Sequence, residues 1–224
     1  MRTHVLFDLD GTLTEPKEGI TRSVAYALEH FGIRVTDLDS LCPFIGPPLM
    51  DSFQEYYHFS EEEAKQAVVY YREYFSDQGW RQNRVFPGIR EMLAELKAQG
   101  AHLFVATSKP EVFAKRILDH FELTEYFDWI GGAELHGSRI RKADVIRWVL
   151  EQTEIGRLQI PAEQILMVGD REHDVLGAKE CGLDCLGVLF GYGSRQELDE
   201  AGAIGAATSV EELTVMLKRE CGFH

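Results

Sequence analysis

The chain has 224 residues, 45% hydrophobic and 27% charged, enough for one sizeable core plus a smaller insertion or for two modest domains. No tandem repeat, low-complexity tract or long Pro/Ser/Gly stretch divides it, so its parts are expected to be tightly joined. A formal net charge of −14 argues against a nucleic-acid polymer or an anionic membrane surface as the main partner, and a small anionic ligand would need a metal or placed Lys and Arg to offset it.

The first expected element is a strand over the apolar run Val5-Leu6-Phe7, which ends in Asp8-Leu9-Asp10-Gly11-Thr12. Residues two apart on a strand share a face, so Asp8 and Asp10 can converge on one small volume while Gly11 lets the chain turn sharply. Two like charges this close need a cation. A hard divalent ion such as Mg²⁺ is the natural neutraliser, and a carboxylate beside it can attack phosphorus to give an aspartyl-phosphate. The competing reading is a solvated turn in which Asp and Gly serve only turn chemistry.

From about 15 to 80 the pattern is helical: Ile20, Val24, Ala27, Leu28 and Phe31 recur at helical spacing, and Ser60-x-x-Glu63 caps a helix carrying Ala64, Ala67, Val68, Tyr71 and Phe75. Phe44-Ile45-Gly46-Pro47-Pro48 reads as a loop between helices. Beyond Pro87-Gly88 a helix over Ile89 to Gln99 stops at Gly100, and a strand over His102 to Ala106 stops at Thr107-Ser108-Lys109-Pro110. Further strands are expected at about Phe127 to Ile130, Ile165 to Val168 and Cys185 to Leu189, separated by amphipathic helices such as the one bearing Val145, Ile146, Val149 and Leu150.

The economical fold is α/β, a Rossmann-like parallel-sheet core over residues 1–14 and 82–224 with an all-helical insertion over 15–81. Ligands of open α/β sheets bind beyond the carboxyl ends of the strands, and the insertion leaves from that edge, where it can act as a lid.

Three more constellations end strands or begin helices. Thr107 and Ser108 offer a hydroxyl and backbone N–H groups for phosphoryl oxygens, although both residue types are also ordinary helix caps. Lys142 sits at an expected helix start, where the dipole disfavours a cation unless an anionic partner lies elsewhere. Asp170, ending Ile165-Leu166-Met167-Val168-Gly169, can complete a metal site with Asp8, while Asp174 can orient a ligand water or anchor Lys142. His173 between them reads as a helix-surface or supporting residue, because the hard-metal oxygen set is available without imidazole. Cys42, Cys181, Cys185 and Cys221 lack zinc-site spacing and read as buried or incidental thiols. No basic-then-apolar leader and no apolar run of about 20 residues is evident, so a soluble cytoplasmic protein is expected.

These four elements, in this order, resemble the four motifs of the haloacid dehalogenase (HAD) superfamily of aspartyl-nucleophile phosphatases, over nearly the whole chain. The helical insertion resembles that superfamily's first cap type, shared by phosphoglycolate phosphatases and β-phosphoglucomutases. Pro16 to Ile20, Ile45 to Leu49, Tyr71-Arg72-Glu73-Tyr74, Thr107 to Pro110 and Gly191-Tyr192-Gly193-Ser194 look most like the 5′-nucleotidase-like branch near phosphoglycolate phosphatase.

The resemblance implies that Asp8 attacks the substrate phosphorus and that Asp10 first protonates the leaving oxygen and then activates water. Dehalogenases of the superfamily generally lack this second Asp, because halide leaves without a proton. It also implies Mg²⁺ held by the Asp8 carboxylate, the Asp10 backbone carbonyl and Asp170, with Thr107 and Lys142 on the phosphoryl oxygens and Asp174 in support. Gly11, Thr12 and Ser108 are assigned to substrate binding, together with Lys17 and Arg72; Arg22 and the Phe44 to Leu49 loop are further candidates near the leaving group. The expected substrate is a small phosphorylated metabolite, nucleoside 5′-monophosphates first and phosphoglycolate second, and the expected assembly is a monomer or weak homodimer. A β-phosphoglucomutase-type phosphomutase and a non-catalytic binding protein stay open as alternatives.

Overall fold

The computed structural model describes residues 1–135 and 137–223. Strand β1 (His4–Phe7) runs into the acidic turn, and β2 (Thr14–Glu15) follows. Helices α1 (Lys17–Glu29), α2 (Leu49–Tyr57) and α3 (Glu61–Asp77) come next, with 3-10 helices over Leu38–Phe44 and Gly79–Arg81, before β3 (Arg84–Val85). The chain then continues through α4 (Ile89–Ala98), β4 (His102–Pro110), α5 (Glu111–His120), β5 (Trp129–Ala133), α6 (Lys142–Gln152) and α7 (Glu154–Arg157). It ends with β6 (Ile165–Gly169), α8 (Glu172–Glu180), β7 (Asp184–Val188), α9 (Arg195–Ala201), β8 (Gly205–Ala207) and α10 (Val210–Cys221).

Six strands form one sheet in the order β5-β4-β1-β6-β7-β8, and the registered pairs are parallel throughout. β1 is central. The chain winds outward from it through β4 and β5 on one side and through β6, β7 and β8 on the other, so the winding direction reverses between β1 and β6. That reversal opens a crevice at the carboxyl ends of these strands.

A parallel sheet is covered on both faces, which is why Val5, Leu6 and Phe7 are all fully buried instead of alternating. Leu6, Phe104 and Met167 pack on Val145, Ile146 and Val149 of α6 and on Val175 and Ala178 of α8, while α4 and α5 contact β4. Burying each such large aliphatic or aromatic side chain contributes about 1.5–3 kcal/mol.

The elements differ from the sequence reading in several places, among them the unanticipated two-stranded sheet of β2 and β3. β4 extends to Pro110 and therefore carries Thr107 inside the strand. β5 starts two residues later than expected, because Phe127 closes a 3-10 turn and its ring packs on Phe7 at 6.4 Å. β8 was not anticipated, since Gly205-Ala206-Ala207 is too small to register as an apolar period.

The chain forms two compact units, Met1–Thr14 with Val85–His224 and Glu15–Arg84. The helical unit keeps residues 82–84, which the sequence reading assigned to the core: Gly19 N–H donates to Gln82 O at 2.9 Å and Arg84 pairs with Glu15 at 2.9 Å. Inside it, Ile20, Val24, Ala27 and Leu28 of α1 and Ala64, Ala67, Val68, Tyr71 and Phe75 of α3 form a shared core. Ser60 opens α3 through a reciprocal cap: its Oγ accepts Glu63 N–H at 3.3 Å and its own N–H donates to the Glu63 carboxylate at 2.8 Å. Among the described residues no helix is long and apolar enough to cross a membrane.

Candidate active site

The sheet brings three strand ends together. Asp8 follows β1, and its N–H donates to Val168 O at 2.9 Å, extending the ladder toward β6 and Asp170. Gly11 adopts φ +81° with its N–H on Thr14 O at 2.7 Å, and a β-carbon there would stand 2.2 Å from an Asp170 carboxylate oxygen. Both the left-handed turn and the approach of Asp170 require glycine.

Lys142 opens α6 and reaches back to Asp8. Its Nζ lies 2.6 Å from Asp8 Oδ1, 2.7 Å from Asp174 Oδ1 and 3.0 Å from Ala106 O, so one ammonium meets three acceptors in a buried setting. Burial works against the charge on Lys142, but Asp174 and Asp8 more than offset it and its pKa lies above the ordinary lysine value. Asp174 is held in turn by Arg171 N–H, which donates to its Oδ2 at 3.1 Å.

Asp10 faces a second lysine. Lys109 Nζ stands 2.6 Å from Asp10 Oδ2, both side chains buried, and Lys109 N–H donates to Thr107 Oγ1 at 3.2 Å. Burial pushes the Asp10 carboxyl above the ordinary carboxylate range, against the pull of Lys109. Asp10 Oδ1 and Thr12 Oγ1 are buried with no hydrogen-bond partner. Native proteins rarely leave such atoms unpaired, so a ligand or an ordered water is expected to meet them.

Asp8, Asp170 and Asp174 each offer an oxygen within 4.8 Å of the others. Asp170 Oδ2 accepts Tyr192 N–H at 2.8 Å, while its Oδ1 is buried and unpartnered. Burial and the neighbouring Asp174 and Asp8 drive the Asp170 pKa well above its ordinary value, and a cation there would offset this crowding of charge. An all-oxygen set of this charge fits a hard divalent ion such as Mg²⁺. Gly191 keeps the approach open, since a β-carbon there would lie 2.4 Å from Gly11 O and 2.5 Å from Asp170.

Four strand-end or helix-start elements carrying this chemistry call for comparison with known families, and residues 5–188 match the model of haloacid dehalogenase-like hydrolases. The chain belongs to that family. A Pseudomonas aeruginosa protein described as a 5′-nucleotidase is 50% identical to this hydrolase over 87% of the chain and 86% of its own length. A Mycobacterium tuberculosis protein described as tyrosine-protein kinase PtkA is 40% identical over 93% of the chain and 70% of its own. A solved Clostridium acetobutylicum structure, described as a predicted phosphatase, superposes with a TM-score of 0.93 at 50% identity, covering 98% of this chain and 99% of that one.

Other side chains singled out in the sequence of this hydrolase sit differently. Ser108 is half-buried, with no side-chain hydrogen bond to a described residue. Lys17 pairs with Asp39 at 2.8 Å and Arg22 with Glu18 at 3.0 Å, both within the helical unit, whereas the half-buried Arg72 guanidinium has no carboxylate partner among the described residues. Burial lowers the Arg72 pKa. Ile45–Pro48 is irregular, but Phe44 closes a 3-10 helix and Leu49 opens α2. His173 is half-buried on α8, outside the carboxylate cluster.

Two contacts at the site were not assigned from sequence. Lys109 carried no role, although a lysine two residues past Thr107, near the end of β4, is a signal that could have been used. The Tyr192 N–H had none either: a backbone donor leaves no side-chain signature, and only the flanking Gly191 and Gly193 hint at it.

Proposed function

We propose that this hydrolase is a Mg²⁺-dependent phosphomonoesterase that releases phosphate from nucleoside 5′-monophosphates through a phosphorylated Asp8. The observation that carries the reading is the pair of buried carboxylates two residues apart, Asp8 fixed by Lys142 and Asp10 fixed by Lys109 with one oxygen unpartnered. Support for the substrate class comes from the relative described as a 5′-nucleotidase.

Asp8 Oδ attacks phosphorus in line as the bond to the ester oxygen breaks, and Asp10, whose burial favours its protonated form, delivers a proton to that oxygen. Asp10, now a carboxylate facing Lys109, takes a proton from water as the water oxygen attacks the phosphorus and the bond to Asp8 breaks. Asp8 is regenerated and inorganic phosphate leaves. Lys142 keeps Asp8 oriented by its contacts with Asp174 and Ala106 O. Thr107 Oγ1 accepts from Lys109 N–H, so its own hydroxyl proton is available for a phosphoryl oxygen. Asp8 and Asp170 would hold Mg²⁺, with the Asp10 carbonyl, and the ion would supply charge neutralisation for the incoming phosphoryl group.

The test is phosphate release from nucleoside 5′-monophosphates, 2-phosphoglycolate and hexose phosphates, with and without Mg²⁺, for wild type and Asp8→Asn. The reading expects nucleotides to lead, EDTA to stop turnover and Asp8→Asn to lose at least about 10³-fold. Phosphoglycolate in the lead overturns the substrate assignment. Sugar-phosphate isomerisation with little free phosphate overturns hydrolysis, and an Asp8→Asn variant as active as wild type overturns the nucleophile.

A further inference from the structure

A second cluster of metal-ligating side chains lies at the other end of the same strands. His4 and His102 are direct cross-strand partners on β1 and β4, with rings stacked at 4.8 Å and 11° apart in plane. His102 Nδ1 lies 2.8 Å from Glu154 Oε1 and 3.3 Å from Asp128 Oδ2, and His4 Nε2 lies 3.9 Å from the same Glu154 oxygen. His4 and Asp8 are four residues apart on one strand, about 13 Å, so this cluster is separate from the catalytic carboxylates.

One ligand atom from each of His4, His102 and Glu154 lies within 4.8 Å of the others. Thr3 Oγ1 lies 2.8 Å from His4 Nδ1 and 3.4 Å from Gln164 Oε1, and when it donates to Gln164 it accepts the Nδ1 proton of His4. In that tautomer His4 carries its lone pair on Nε2, 3.9 Å from Glu154 Oε1 and free to ligate. Asp128 is already fixed in place by Leu103 N–H at 3.2 Å and by Lys97.

We infer that His4 Nε2, His102 Nδ1 and Glu154 Oε1, with Asp128 Oδ2 in reach, form a site for a borderline divalent transition metal of the Zn²⁺ class. Mixed imidazole and carboxylate donors select such ions over Mg²⁺. On binding, the Nδ1 proton of His102 moves to Nε2 by exchange with water and that ring stays neutral, while the His4 ring turns out of the stack to bring its nitrogen to about 2.0–2.1 Å from the metal. The ion ties β1, β4 and α7 together, and the site does not depend on what the catalytic centre hydrolyses.

The experiment uses tag-free, metal-stripped protein in excess Mg²⁺, titrated with Co²⁺ as a coloured Zn²⁺ substitute. The expected result is one equivalent of Co²⁺ with four- or five-coordinate visible bands, and a Tm rise of about 5–10 °C at a hundredfold excess over Kd. Because His4 is buried, His102→Gln on the half-exposed ring is the deciding variant: it should lose at least about tenfold in Co²⁺ affinity, while Asp170→Asn keeps the spectrum. No Co²⁺ binding, an unchanged spectrum in His102→Gln, or its loss in Asp170→Asn each overturns the inference.

Discussion

Lys109 and Asp10 meet as a buried ion pair, Nζ to Oδ2 at 2.6 Å, two residues along from the carboxylate that Lys142 holds. In the proposed reaction Asp10 gives up a proton in one half-reaction and accepts one in the next, and Lys109 is the cation beside it while it is a buried carboxylate between them. Replacing it by Met raises the Asp10 pKa further, which spares protonation of the leaving group and hinders activation of water. Lys109→Met should therefore slow turnover about 10²-fold and show a burst of nucleoside release ahead of phosphate in rapid-mixing assays. Equal slowing of both products would place Lys109 outside the proton chemistry.

Lys142 is the converse case, one cation shared by two buried carboxylates. Lys142→Met leaves Asp8 and Asp174 without it, and the loss in urea unfolding should be about 3–5 kcal/mol. Arginine is a poor substitute, because three acceptors close around one ammonium do not match a planar guanidinium fork. Lys142→Arg should remain well below wild type in both stability and activity.

Gly191 tests the approach to the metal set. A β-carbon at 2.4 Å from Gly11 O and 2.5 Å from Asp170 cannot be accommodated without moving one of them. Gly191→Ala should cost about 1–3 kcal/mol and weaken Mg²⁺ binding in titration calorimetry. Wild-type Mg²⁺ affinity in this variant would mean that Asp170 is not a ligand.

Glu197 gives a pH dependence outside the catalytic centre. Burial raises its pKa, but Glu172 N–H at 2.9 Å and Arg171 Nε at 2.8 Å outweigh this and hold it below the ordinary 4.5. A depressed carboxylate pKa contributes stability that is present above the unfolded value and is lost as pH falls through the folded one. Glu197→Gln should cost about 1–2 kcal/mol at neutrality, and the gap from wild type should close between pH 4.5 and the more acidic folded pKa. Urea midpoints of both proteins from neutrality down to about pH 3 measure it; a constant gap would remove Glu197 from the acid response.

Much of the architecture was legible along the chain because its signals are local. A fully buried parallel strand shows as an unbroken apolar run, as at Val5-Leu6-Phe7 and Ile165 to Val168, and a helix as a repeat closed by a cap, as at Ser60 and Glu63. The carboxylates after those strands were legible for the same reason: Asp8, Asp10 and Asp170 stand where a strand ends and a turn begins. Strands without an apolar period were missed, as at Gly205-Ala206-Ala207, and β5 was placed too early because Phe127 belongs to the core but not to the ladder.

What the sequence determined by itself is therefore the set of elements and the residue types at their ends, since both follow from interactions among neighbours. Partnership was decided only in the folded sheet. Lys142 meets Asp8 across 134 residues, Lys109 turns to Asp10, Tyr192 offers its N–H to Asp170, and His4 lands beside His102 at the far end of the strands. Each of these contacts depends on strand order and register, which are set by how two faces of one sheet are buried and leave no trace in the spacing of residues along the chain.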